Sequence, residues 1–198
     1  MIFPFEQDII LENDRVIIKP IYTLTDAESL WPINEANPML MGYSPAMIRG
    51  RASFESYFES SLDLKKAQSK YPFIIVDKLN GQSAGSTSFM NINVAHERLE
   101  IGSTYLGPKF HRTGLNRNVK LLMISYAFES LNVKRVELKT DARNMQSRTA
   151  MEGIGAKYEG SLRSHTIMTD GYRRDTAYYS ILVDEWPEVK RQLLLKIK

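Results

Sequence analysis

The chain has 198 residues, 43% of them apolar and 25% charged, the proportions of an ordinary globular protein long enough for one substantial core. It contains no cysteine, which excludes disulfides, thiolate zinc sites, iron–sulfur clusters and cysteine nucleophiles. Only His96, His111 and His165 supply imidazole, far apart and without ligand spacing, and the net charge of +3 is spread along the chain, so neither a metal enzyme nor a nucleic-acid binder is indicated.

The first residues lack a basic segment, and Glu6 and Asp8 interrupt any apolar run, so no secretory signal is visible. The densest apolar stretch, 121–128, is too short to span a bilayer. The expectation is a cytoplasmic protein without a membrane partner. No repeat, low-complexity tract or linker divides the chain, so one domain is expected over 1–198, with its core at about 10–190.

Residues 15–20, rich in β-branched types, read as a first strand. Thr25-Asp26-Ala27-Glu28 has the capping-box pattern and predicts a helix start, with Pro32 shortening or bending that helix. The spacing of Phe54, Tyr57, Phe58 and Leu62 predicts a second helix over 53–68. Residues 71–77 form a compact strand, Asn80-Gly81 is a hairpin signal, and strands come next at 82–93 and 98–106. A loop covers 107–116, then a long helix, about 117–131, apolar on most sides and therefore expected to lie against a sheet. Residues 135–141 alternate as a strand, 146–153 form a shorter helix ended by Gly155, and 158–167 and 173–183 are two more strands turned at Asp170-Gly171. A terminal helix begins at Trp186. The sum is an α/β (α+β) fold with a mixed, mostly antiparallel central sheet of about seven strands flanked by helices.

The junction of strand 98–106, loop and long helix carries the chemistry. A helix entered through a glycine-containing loop leaves its first N–H groups unpaired, with about half a positive charge at that end, and so offers an anion site. Gly114 permits a tight turn and close approach, Asn116 is a good cap residue, and Lys109 and Arg112 add positive charge. These features suit a phosphate or pyrophosphate, although the loop by itself reads more readily as a plain connection capped by Asn116.

The run His111-Arg112-Thr113-Gly114-Leu115-Asn116 resembles the acetyl-CoA signature Q/R-x-x-G-x-G/A of the GNAT acetyltransferases, with the central glycine kept and His111 and Asn116 departing from the usual types. Leu99 to Leu106 is similar to that family's fourth strand. Asn144-Met145-Gln146-Ser147 and the Lys157-Tyr158-Glu159-Gly160 run are similar to the branch containing ribosomal-protein N-terminal acetyltransferases (RimJ/RimL-like).

This resemblance implies a GNAT-like fold with splayed fourth and fifth strands, and direct transfer of the acetyl group of acetyl-CoA, as co-substrate, to a primary amine without a metal. The acceptor is a protein N-terminus or a small-molecule amine, and a homodimer is left open. It also implies that Ser103, Thr104, Tyr105 and Leu106 line the pantetheine arm from the strand edge, with Asn144 and Ser147 on its other side. His111, Arg112, Thr113, Gly114, Leu115 and Asn116 hold the pyrophosphate. A backbone N–H near Tyr105 polarises the thioester. Glu100 is the first candidate base and His165 the second. On an alternating strand, however, Glu100 equally reads as a carboxylate facing solvent or paired with a lysine. Many members place a tyrosine after the helix-opening asparagine as donor to the thiolate; Met151 stands at that position here, leaving Ser147 as the donor. Phe54, Tyr43 and Tyr57 are expected to form the acceptor wall. The alternative function is a non-catalytic acyl-CoA-binding module of the same fold.

Overall fold

The structure, a computed structural model, describes residues 1–197. Among them eight strands form one sheet: β1 (Leu11–Glu12), β2 (Val16–Pro20), β3 (Lys70–Asp77), β4 (Gln82–Asn93), β5 (Arg98–Leu106), β6 (Arg135–Asp141), β7 (Lys157–Ile167) and β8 (Arg173–Leu182), in the order β1-β2-β3-β4-β5-β6-β8-β7. The expected sheet of about seven strands gains the two-residue β1. Its turn is closed by Asn13, whose Oδ1 accepts from the N–H groups of Arg15 and Val16.

The first helical region differs from expectation. The cap is Thr23 rather than Thr25, and Asp26 completes the box by accepting from the Thr23 N–H at 2.8 Å. Glu28, the acid expected in that role, instead pairs with Arg51. Two overlapping patterns compete here, and Asp26 gathers the donors of Tyr22 and Thr23. The segment divides into α1 (Leu24–Ala27) and α2 (Trp31–Glu35), with Pro32 in the first turn of α2, where its missing N–H costs nothing. Helix α3 (Arg51–Lys66) starts two residues before its predicted position.

Alternation along the strands sends side chains to two cores. On one face, Phe73, Ile75, Ile101, Leu138 and Tyr179 pack against α4 (Leu115–Ser125) and its π-helical extension Tyr126–Ser130. On the other, Ile21, Leu30, Phe54, Phe58, Ile74 and Tyr105 form a second cluster under α1 to α3. Helices α5 (Met145–Gly153) and α6 (Trp186–Leu195) complete the chain.

All strand pairs are antiparallel except β5 with β6, the two strands joined through α4 as a crossover unit. Their pairing covers only Arg98↔Arg135, Leu99↔Val136 and Glu100↔Glu137. Beyond Glu100 the strands part, leaving the edge of residues 101–106 without a neighbour on that side. A bulge re-aims the same edge: Ser88 pairs with Gly102 and Ser86 with Tyr105, so β5 carries one extra residue, with Ser103 at φ 50°.

Candidate active site

The loop after β5 is built to leave donors free. The His111 ring bonds back to the Leu106 carbonyl at 2.9 Å, and the Thr113 hydroxyl donates to the Phe110 carbonyl at 2.8 Å. Arg112 (φ 60°) and Gly114 (φ 82°) are both left-handed. Gly114, not Asn116, is the cap of α4; its carbonyl receives the N–H of Asn118 at 3.2 Å, and Asn116 lies inside the first turn. The correction has a local cause: the positive φ at Gly114 starts the helix two residues earlier than a side-chain cap at Asn116 would. Leu115 donates weakly to Thr113 Oγ1, at 3.4 Å, whereas the main-chain N–H groups of Asn116 and Arg117 have no acceptor among the described residues. A Cβ built on Gly114 would meet nothing within 4 Å, so the space beside that glycine is open.

From this loop a cleft of about 1820 Å³ runs into the gap between β5 and β6. Of the residues expected to bind the cofactor, Ser103, Thr104, Tyr105, Leu106, His111, Arg112, Gly114, Asn116, Asn144 and Ser147 line it. Thr113 and Leu115 do not: the hydroxyl of Thr113 is used inside the loop, and Leu115 is fully buried in the core. The phenol oxygen of Tyr105 accepts from Asn34 Nδ2 at 3.0 Å, and burial pushes its pKa up.

At the root of the gap Glu100 is buried, with Lys139 Nζ at 2.8 Å and Asn91 Nδ2 at 2.7 Å from its Oε2. Desolvation lowers the Lys139 ammonium, but Glu100 and Glu137 outweigh it and hold the group above its ordinary pKa. On the α4 side, the buried Lys120 donates to Thr104 Oγ1 at 2.9 Å, beside the bulge. Burial pushes this ammonium down to about 7, against the opposing pull of Glu100. Sequence reasoning missed Lys120, although a lysine inside a helix that is otherwise apolar nearly all round was a legible signal.

Asn144 caps α5, accepting the Ser147 N–H at 3.1 Å, so both residues stand at the helix start facing the gap. Met151, one helix face further on, also lines the cleft. His165 bonds Thr176 Oγ1 through Nδ1 at 3.1 Å and packs edge-on to Tyr178. Of the residues expected at the acceptor wall, Tyr43 and Tyr57 line the cleft, whereas Phe54 is fully buried in the second core. Lys70 and Arg174, also missed, complete that end of the cleft.

A strand edge opened beside a helix whose first donors are free is a characteristic arrangement, and comparison with known proteins places it. The family model described as "Acetyltransferase (GNAT) domain" matches residues 15–157. The chain belongs to the GNAT acetyltransferase family. It is 28% identical over 176 residues to the "Putative ribosomal N-acetyltransferase YdaF" of Bacillus subtilis, covering 88% of this chain and 94% of that one. It is 25% identical over 127 residues to the spermidine N(1)-acetyltransferase of Escherichia coli K12, 61% of this chain and 67% of that one. Among solved structures, a GCN5-related N-acetyltransferase from Brucella melitensis superposes with TM-score 0.87 at 28% identity, covering 97% of this acetyltransferase and 86% of that chain. No described helix of the acetyltransferase is long and apolar enough to cross a membrane.

Proposed function

We propose that this acetyltransferase passes the acetyl group of acetyl-CoA directly to a primary amine, a protein N-terminus or a small-molecule amine. The observation that carries the reading is the single cleft joining the free donors at Asn116 and Arg117 to the gap beside Glu100. The pyrophosphate seats on those donors with Arg112 beside it, and the pantetheine lies along Ser103, Thr104 and Leu106, with Asn144 and Ser147 opposite. The likeness to YdaF, a "Putative ribosomal N-acetyltransferase" by name, favours a protein acceptor.

The reaction needs an amine with a lone pair, a polarised thioester and a proton for the thiolate. Glu100, held in place by Lys139 and Asn91, takes the proton of the bound ammonium through water. The amine nitrogen then attacks the thioester carbon, and the developing oxyanion is met by a main-chain N–H of β5 near Tyr105, on the edge facing the gap. When the C–S bond breaks, the second amine proton leaves nitrogen and the thiolate gains one. Ser147 is one donor to the thiolate. The Lys120 ammonium is better matched, because its pKa near 7 lies below that of a thiol at roughly 8.5.

Direct transfer is tested by mixing the enzyme with acetyl-CoA, with and without amine. The expected result is CoA thiol and acetylated amine in equal amounts, with no acetyl group on the protein. A protein-bound acetyl on Ser147 or Lys120 that passes on to the amine would overturn it. Thiol release absent across a broad amine panel, with CoA still bound, would replace transfer by acyl-CoA binding alone.

A further inference from the structure

The acceptor end of the cleft lies on the sheet face opposite α4, and its charged groups can be named element by element. Strand β3 contributes Lys70, β5 Glu100, β6 Lys139 and β8 Arg174, with His165 from β7, whereas α3 and the segment before it contribute serines, tyrosines and apolar groups. Glu100 is the one carboxylate among these lining residues, and Lys139 already sits on it at 2.8 Å.

Lys70 and Arg174 are different. Lys70 is buried, its ammonium donating to Ser61 Oγ at 2.9 Å and lying 4.9 Å from the Tyr57 ring centre. Half-buried Arg174 donates to the Tyr43 carbonyl at 2.9 Å and to Thr176 Oγ1 at 3.2 Å. Neither has a carboxylate at ion-pair distance among the described residues. Asp141 and Glu100, whose charges reach Arg174, are already engaged, by Arg143 at 2.7 Å and by Lys139 at 2.8 Å. Burial lowers the pKa of both cations, that of Lys70 to about 8. Buried cations without counter-ions are costly unless a ligand supplies the charge.

Resting on the transferase reading above, we infer that the acceptor amine carries one or more carboxylates close to its reactive nitrogen, and that Arg174 and Lys70, on separate walls of the cleft, supply the positive charge that selects for them. The Arg174 guanidinium keeps donors unused by Tyr43 and Thr176, and its planar fork suits a carboxylate. The same positive surroundings lower the pKa of a nearby ammonium, which favours the free amine needed for attack. A polyamine would bring more positive charge to an end of the cleft that already has an excess. The acceptor preference of this enzyme therefore departs from the one named in its spermidine-acetylating relative. Two sources share the required chemistry: a peptide N-terminus followed by acidic residues, and a free amino acid.

The test measures acetylation rates and, with CoA present, equilibrium binding for four probes. These are a peptide with glutamates at its second and third positions, the same peptide with lysines there, free glutamate, and spermidine. At least a tenfold advantage in kcat/KM and in affinity is expected for a carboxylate-bearing probe over the lysine peptide and spermidine. Preference for the acidic peptide or for free glutamate identifies the source. Arg174→Gln and Lys70→Met are each expected to shrink the advantage to about threefold or less while CoA affinity is retained. Lys70→Met removes a buried charge, so it folds at least as well as the parent and keeps the test readable. Equal use of all probes, preference for spermidine, or an advantage that both variants leave intact would overturn the inference while leaving acetyl transfer standing. An acidic preference in binding without thiol release would uphold the subsite and count against transfer.

Discussion

Lys139 Nζ lies 2.8 Å from Oε2 of Glu100, and Lys139 stands two residues along β6 from Glu137, the last parallel partner of β5. The ion pair thus sits where the strands begin to part, and it fixes the carboxylate at the root of the gap. Glu100→Gln keeps the shape and removes the basicity. The expected outcome is a fall in kcat of about 10²-fold or more, with CoA affinity unchanged in a titration. Lys139→Met leaves a buried carboxylate unpaired, and chemical denaturation should show a loss of about 3 kcal/mol.

Lys120 allows stability and activity to be separated. Its folded pKa, about 7, is below the ordinary 10.5, so between those values the unfolded chain holds more protons than the folded one. Folding stability from this group therefore rises with pH across that window, and its penalty is fully present below about 7. Lys120→Met should raise the melting temperature, most at pH 6 and least near pH 10, by the equivalent of about 1–3 kcal/mol at most. The same variant should lose about 10²-fold in kcat and lack the alkaline fall in kcat that loss of the ammonium produces in the parent. A variant that is less active but no more stable would point to lost packing instead.

At Gly114 the φ of 82° and the open space above the Cα set two different expectations. Gly114→Ala adds backbone strain of about 1 kcal/mol, read in the melting temperature, and weakens CoA binding modestly. Gly114→Asp adds a negative charge beside the diphosphate and should lower CoA affinity far more, with the circular dichroism of the fold retained. Equal affinities for the parent and the aspartate variant would remove the loop from the site.

The cap of α5 tests the other wall of the gap. Asn144→Ala deletes the acceptor of the Ser147 N–H and should cost about 1 kcal/mol of stability. It should also weaken CoA binding, because Ser147 loses its fixed place. Ser147→Ala keeps that cap, so its stability should match the parent, and any fall in kcat reports the hydroxyl alone.

Much of the scaffold was legible in the sequence, because it depends on neighbours. Apolar and alternating runs marked β3, β6 and β8, Asn80-Gly81 marked the β3–β4 turn, and the apolar run after Gly114 marked α4. The glycine loop before α4 was legible too, since a glycine before a helix is a local signal, although its positive φ moved the cap from Asn116 to Gly114. The capping box misled by two residues, because Thr23 and Thr25 offer overlapping patterns and Asp26 found more donors.

What the sequence by itself determined is the set of strands and helices and the helix start that can hold an anion: periodicity and hydrogen bonds to near neighbours specify them. What only the tertiary structure decided is which groups meet. Parallel pairing ends at Glu100 because strand partners far apart in sequence diverge there, and the extra residue at Ser103 appears only against β4. Lys120 meets Thr104 across 16 residues, and Arg174 meets Tyr43 across 131. Burial and charge environment arise from such distant contacts, so the acidity of Lys120 and the unpaired cations of the acceptor end are properties of the packed chain.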